Sequence, residues 1–168
     1  FVRGIAAYLD GYEEVAVHMT ETYRPSQKYP KVTNPVFNIQ ENPNLLGFAR
    51  AKPGDKAAPV VIHLVQWEST PENESTVELT TDQFFAGKPL SVRLLTPAAY
   101  DKAQHDDAER KAEAMRKAGE RRGAAQAKAY AGLVKATPLE SRVEADKTVV
   151  TVPPLQPWGM LVIEPADQ

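Results

Sequence analysis

Eight consecutive residues, Val60-Val61-Ile62-His63-Leu64-Val65-Gln66-Trp67, constrain this chain more than any other stretch. In an extended backbone Val60, Ile62 and Leu64 face one way, and Val61, His63, Val65 and Trp67 face the other. Both faces are largely apolar. A strand of that kind belongs inside a sheet that is covered on each side. Just upstream, Leu45 to Ala51 is also strand-like, and the intervening Lys52-Pro53-Gly54-Asp55 has the Pro-Gly chemistry of a tight turn. The two strands are predicted to form a hairpin.

The rest of the chain repeats this short, turn-punctuated rhythm. Val15, Val17 and Met19 alternate with Ala16, His18 and Thr20, the period of a half-buried strand. Pro25, Pro30, Pro35 and Pro43 exclude long regular elements around them and leave only Val36 to Ile39 as a short strand. Ser75 to Thr80 and Leu90 to Thr96 follow, with a Gly87-Lys88-Pro89 turn between them. Arg142 to Val152 divides at Asp146-Lys147 into two more strands, and Gly159 to Glu164 closes the series. About seven to nine short strands predict a sandwich or barrel rather than a parallel α/β sheet, and the fold class expected is mainly β, an antiparallel β-sandwich.

Two segments depart from this pattern. Phe1 to Leu9 places apolar side chains on one side and is followed by Asp10-Gly11, which predicts a short N-terminal helix within residues 1–14. Residues 98–136 contain no proline and are dominated by Ala, Glu, Lys, Arg and Gln, which predicts a long helical insertion in a sandwich domain spanning residues 15–168. Its apolar residues are mainly alanines plus Met115, Tyr130, Leu133 and Val134, enough for only a thin buried stripe. Gly119 and Gly123 bracket Glu120-Arg121-Arg122 and mark either a kink or a turn between two helices. The acidic-before-basic order offers pairs such as Glu113 with Lys117, so a solvated face is favoured over a basic binding patch.

Bulk properties exclude several functions. The chain has 168 residues, the size of one domain, with a formal net charge of −2 and a pI near 6.0, which gives no electrostatic reason to expect a nucleic-acid partner or an anionic membrane. No apolar run approaches the roughly 18 residues that span a bilayer, and Phe1-Val2-Arg3-Gly4 lacks the basic start of a signal peptide. A first residue other than Met is expected of a mature product, a processed piece or an excised segment. Cysteine is absent, which removes disulfides, thiolate nucleophiles and Cys-based zinc sites together.

Residues able to carry chemistry are scattered. His18, His63 and His105 match no metal-binding spacing, and His63, in an apolar strand, is expected to be a hydrogen-bonded core or interface residue. Asp10, Glu13 and Glu14 cluster, while Glu68 and Glu164 end apolar strands; ordinary surface and strand-end roles are favoured over a catalytic pair. No nucleophile elbow, phosphate loop or dinucleotide fingerprint is present. No catalytic residue, metal or cofactor is therefore expected. Flat aromatic rings are the other route to sugar recognition, because they pack against the C–H faces of a pyranose. Tyr23 and Tyr29 in the proline-rich stretch are the exposed candidates. Trp67 and Trp158 join them, although a core strand end and a Pro157-Trp158-Gly159 corner favour buried anchoring. Tyr8 and Tyr12 complete the aromatic candidates, and Asn73-Glu74-Ser75 matches a glycosylation acceptor.

Taken in order, Val60 to Trp67, Leu90 to Pro97, Val149 to Pro154 and Leu155-Gln156-Pro157-Trp158-Gly159-Met160-Leu161-Val162-Ile163-Glu164 resemble the terminal β-sandwich domain of multidomain glycoside hydrolases. In those enzymes a (β/α)8 barrel performs catalysis. The resemblance implies a non-catalytic accessory domain whose partner is an upstream catalytic domain of the same protein, with Phe1 to Leu9 as the tail of the last barrel helix. It implies an extracellular or periplasmic location and oligosaccharide or polysaccharide as a further partner. It carries no catalytic residue onto this sequence. The other readings are an independent carbohydrate-binding module and a protein-interaction domain that uses the helical insertion.

Overall fold

The computed structural model describes residues 2–18, 36–40, 42, 44–66, 74–155 and 157–166. Among them run the strands β1 (Glu13–His18), β2 (Phe37–Gln40), β3 (Leu45–Ala51), β4 (Val60–Gln66), β5 (Ser75–Thr80), β6 (Leu90–Pro97), β7 (Val134–Leu139), β8 (Ser141–Glu144), β9 (Lys147–Val152) and β10 (Trp158–Pro165). They form a six-stranded sheet in the order β1-β3-β4-β10-β6-β7 and a four-stranded sheet in the order β2-β5-β9-β8. Two antiparallel sheets in a mainly β chain match the architecture expected from the sequence. Two helices, α1 (Lys102–Lys117) and α2 (Arg122–Tyr130), lie between β6 and β7. By contact density the chain divides into two compact units, Phe1–Tyr12 with Leu95–Ala136, and Glu13–Leu94 with Thr137–Gln168.

The sandwich unit is organised by β4. It pairs with β3 from Leu45↔Gln66 to Arg50↔Val61 and with β10 from Trp158↔Val65 to Ile163↔Val60. Period two then sorts the side chains. Ala49, Ile62 and Leu161 share one row and face the main core, together with Phe37, Val77, Leu79, Val150 and Val152 from the smaller sheet. Val61, Met160 and Val162, on the opposite face, are buried as well. The doubly apolar strand is therefore interior, as its sequence demands.

Local chemistry sets the connections. β5 and β9 pair from Ser75↔Val152 to Thr80↔Lys147, and β8 folds back on β9 through Ala145-Asp146, with Ala145 at φ 53°. Asn42, just before β3, donates 3.0 Å bonds through Nδ2 to Gln66 Oε1 at the end of β4 and to Ser75 Oγ at the start of β5. Gln66 and Ser75 are buried polar residues, so these bonds remove a desolvation cost.

The helical unit is an α-hairpin. Asp101 accepts a 3.0 Å bond from the Gln104 N–H, and Asp-x-x-Gln has the layout of a capping box. At the other end of α1, Gly119 N–H reaches Arg116 O and Glu120 N–H reaches Met115 O, both at 3.0 Å, the paired bonds of a Schellman stop. Gly119 has φ 96°, which explains a glycine there and settles the alternative of kink or turn in favour of two helices. Buried residues on α1 are Ala108 and Ala112, on α2 Ala125 and Tyr130: the thin stripe that the composition predicts. Lys117 Nζ lies 2.9 Å from Glu113 Oε1, the pair anticipated from spacing.

Two elements differ in extent from expectation. Helix does not reach residue 136, because Tyr130 is followed by the 3-10 turn Ala131–Leu133 and then β7. Val134 and Thr137 are β-branched and Pro138 cannot continue a helix, whereas all three suit an extended strand. The N-terminal helix is one 3-10 turn, Ala6–Tyr8, since a short segment between Gly4 and Gly11 cannot offset the cost of helix nucleation. No helix among the described residues is long and apolar enough to cross a membrane.

Candidate functional site

Two places concentrate polar chemistry. In the helical unit, Tyr130 sits at the end of α2 with its ring buried. Its hydroxyl accepts a 2.7 Å bond from Arg3 Nη1 and donates to Glu109 Oε2, and Arg3 also pairs with Glu109. Arg3 Cζ lies 5.2 Å from the Tyr130 ring centre, within cation–π range, and His105 meets the ring edge-on at 5.5 Å. Glu109 reaches this cluster because it follows His105 by four residues on α1. Burial, reinforced by the bond to Glu109, raises the Tyr130 pKa. The bond from Tyr130, helped by Arg3, lowers that of Glu109. Both shifts lead away from the neutral range where an acid–base catalyst works best. The arrangement is a clamp that ties residue 3 to both helices.

In the sandwich unit, a cavity of about 330 Å³ opens beside the connection between β3 and β4. Lys52, Asp55 and Lys56 from that connection, Val60 from β4, and Phe85 and Ala86 from the turn before β6 line it. Asp55 Oδ1 accepts the N–H groups of Ala57 and Ala58 at 3.1 and 3.2 Å, so its charge is engaged by its own loop. Neither lysine has an ion-pair partner among the described residues. Across the cavity Phe85, Ala86 and Gly87 have φ values of 50°, 56° and 77°, three left-handed residues in succession. For the two that carry a Cβ this conformation costs roughly 1 kcal/mol or more each. Such strain clusters at ligand-holding sites.

The aromatic residues singled out from sequence fare unequally. Tyr23, Tyr29 and Trp67 lie outside the described residues, as do Glu68 and Asn73. Trp158, favoured as a buried anchor, is 42% exposed, because β10 begins there and only from Gly159 onward is it covered. Tyr12 is buried and Tyr8 half-buried. Among the described residues the other large apolar side chains that stand well out are Val2, Val15, Tyr100 and Val143.

No protein-family model matches this chain, and no curated protein is similar to it in sequence.

The titratable candidates are placed as follows. His63 faces the side of the larger sheet opposite the main core, paired with Phe48 and Met160. Its Nε2 is buried without a hydrogen-bond partner, contrary to the hydrogen-bonded histidine expected. Burial, then the charge of Arg50, lowers its pKa and keeps the ring neutral. His18 lies 6.1 Å from the Phe37 ring. Glu164 pairs with Arg93 on the neighbouring β6. Glu13 and Glu14 are exposed on β1, opposite Ala51 and Arg50, and Asp10 approaches the first turn of α2, where a Cβ on Gly123 would lie 2.6 Å from its Oδ2. No group of three or more His, Asp or Glu able to hold a metal occurs among the described residues. Sequence reasoning missed the Arg3–Tyr130–Glu109 clamp, whose members lie 106 and 127 positions from Arg3. It also missed the left-handed turn, for which Phe85-Ala86-Gly87 gives a signal only at its glycine.

Proposed function

We propose that this chain is a non-catalytic β-sandwich accessory domain of a larger glycoside hydrolase, where it flanks and steadies the catalytic barrel. The observation that carries the reading is the placement of the two phrases on which the resemblance rests. Val60 to Gln66 and Trp158 to Glu164 are β4 and β10, hydrogen-bonded neighbours in the middle of the larger sheet. The most family-like parts of the sequence thus form one continuous core, as expected of a scaffold.

The displaced carboxylates described here, Glu78, Asp107, Glu109 and Glu113, are all displaced downward. For Glu78 burial alone would act upward, but bonds from Lys147, Asn38 and Gln40 outweigh it. These groups are held as anions by the cations and hydrogen-bond donors around them. The test is thermal unfolding of the complete gene product with and without this chain. Loss of the chain is expected to lower the midpoint of the remaining protein by several degrees while glycoside cleavage persists at low temperature. An unchanged midpoint would count against the reading.

A further inference from the structure

We infer that the cavity between the β3–β4 connection and the Phe85–Gly87 turn binds a single acidic sugar residue, a uronate, with its carboxylate toward Lys52 and Lys56. At about 330 Å³ the space lies at the small end of ligand sites, the scale of a monosaccharide rather than a chain. The lining carries two cations, Lys52 and Lys56, against one carboxylate, Asp55. The two lysines have no acidic partner among the described residues, while Asp55 is turned into the Ala57 and Ala58 amides. An anion placed there would gain charge-assisted hydrogen bonds that the protein does not already satisfy. The opposite wall is apolar, made by Val60, Phe85 and Ala86, and suits the C–H face of a ring.

The apolar wall is carried by a strained turn. Phe84 is buried in the main core, and the chain reverses immediately after it through three left-handed residues. Glycine or asparagine would adopt that path at little cost. Phe85 and Ala86 occupy it instead, and Phe85 both packs against the main core and lines the cavity.

The choice of a sugar rests on the carbohydrate reading above; the preference for an anionic ring rests on the cavity alone. The probe is a two-dimensional amide NMR titration of the chain with methyl β-D-glucuronide, with methyl β-D-glucoside and cyclohexanecarboxylate as parallel arms. The glucuronide is expected to give saturable shifts at residues 52–58 and 84–87, and the glucoside none there. Lys52→Gln and Lys56→Gln, both at exposed positions, are each expected to weaken binding about tenfold with an unchanged melting temperature. Absence of glucuronide shifts at these residues overturns the proposal, as does an equal response to the glucoside. Equal binding of cyclohexanecarboxylate overturns the sugar assignment. None of these outcomes alters the melting comparison that tests the accessory role.

Discussion

Gly47 makes room for Phe37 of the smaller sheet: a Cβ at that position would lie 2.6 Å from Phe37 Cε2 and 3.0 Å from Ile39 Cδ1. Gly47 is buried in β3, next to Leu64 in the ladder, and Phe37 packs into the space its missing side chain leaves. Gly47→Ala is expected to destabilise the chain by about 1–3 kcal/mol, the usual cost of overpacking. Phe37→Leu in the same chain should recover part of that loss, because the clash is with the far edge of the ring. Urea denaturation of the two single variants and the double variant measures the coupling.

Asn42 joins Gln66 to Ser75 through a single amide group. Asn42→Ala would remove one hydrogen bond from each of two buried polar side chains, a loss of about 1–3 kcal/mol. Asn42→Asp removes the donor but keeps the shape and should be at least as damaging. Denaturation midpoints of the two variants decide between a hydrogen-bonding and a packing role.

Ala86 and Ala145 occupy left-handed backbone at φ 56° and 53°. Replacing either by glycine relieves steric strain but adds freedom to the unfolded chain, for a net gain of up to about 1 kcal/mol. Ala145→Gly should raise the melting temperature without further effect. Ala86→Gly should do the same while loosening the cavity wall, visible as faster amide exchange at residues 84–88.

Much of this was legible in the sequence, for physical reasons that differ by element. β4 and β10 were readable because burial on both faces leaves no polar alternation. The helical hairpin was readable from composition, and its division from Gly119, whose left-handed conformation few other residues adopt. β7 was not, because Ala131 to Ala136 follows a helix-forming run without a proline to end it, and the extended signal of Val134, Thr137 and Pro138 is short. The site was less legible still. Lys52 and Lys56 look like ordinary turn residues, and only the third dimension brings Phe85 to them. Trp158 was misjudged because a corner motif says nothing about which side of the strand start is covered.

His63 makes stability depend on pH. Its folded pKa lies below the ordinary 6.5, so the unfolded chain binds the extra proton first. Stability is then highest above about pH 7 and falls as the pH drops through 6.5 toward the folded pKa. His63→Gln, which cannot titrate, should flatten this part of the profile. The comparison is of denaturation midpoints for both proteins at pH 8, 6.5 and 5.

The accessory role meets its most direct test in the release of reducing ends from a panel of neutral and acidic polysaccharides. The complete gene product and this chain alone are assayed side by side. The account predicts that the complete product cleaves at least one of the glycans and that this chain alone cleaves none. Reducing ends released by the chain alone, or none released by the complete product, would contradict it.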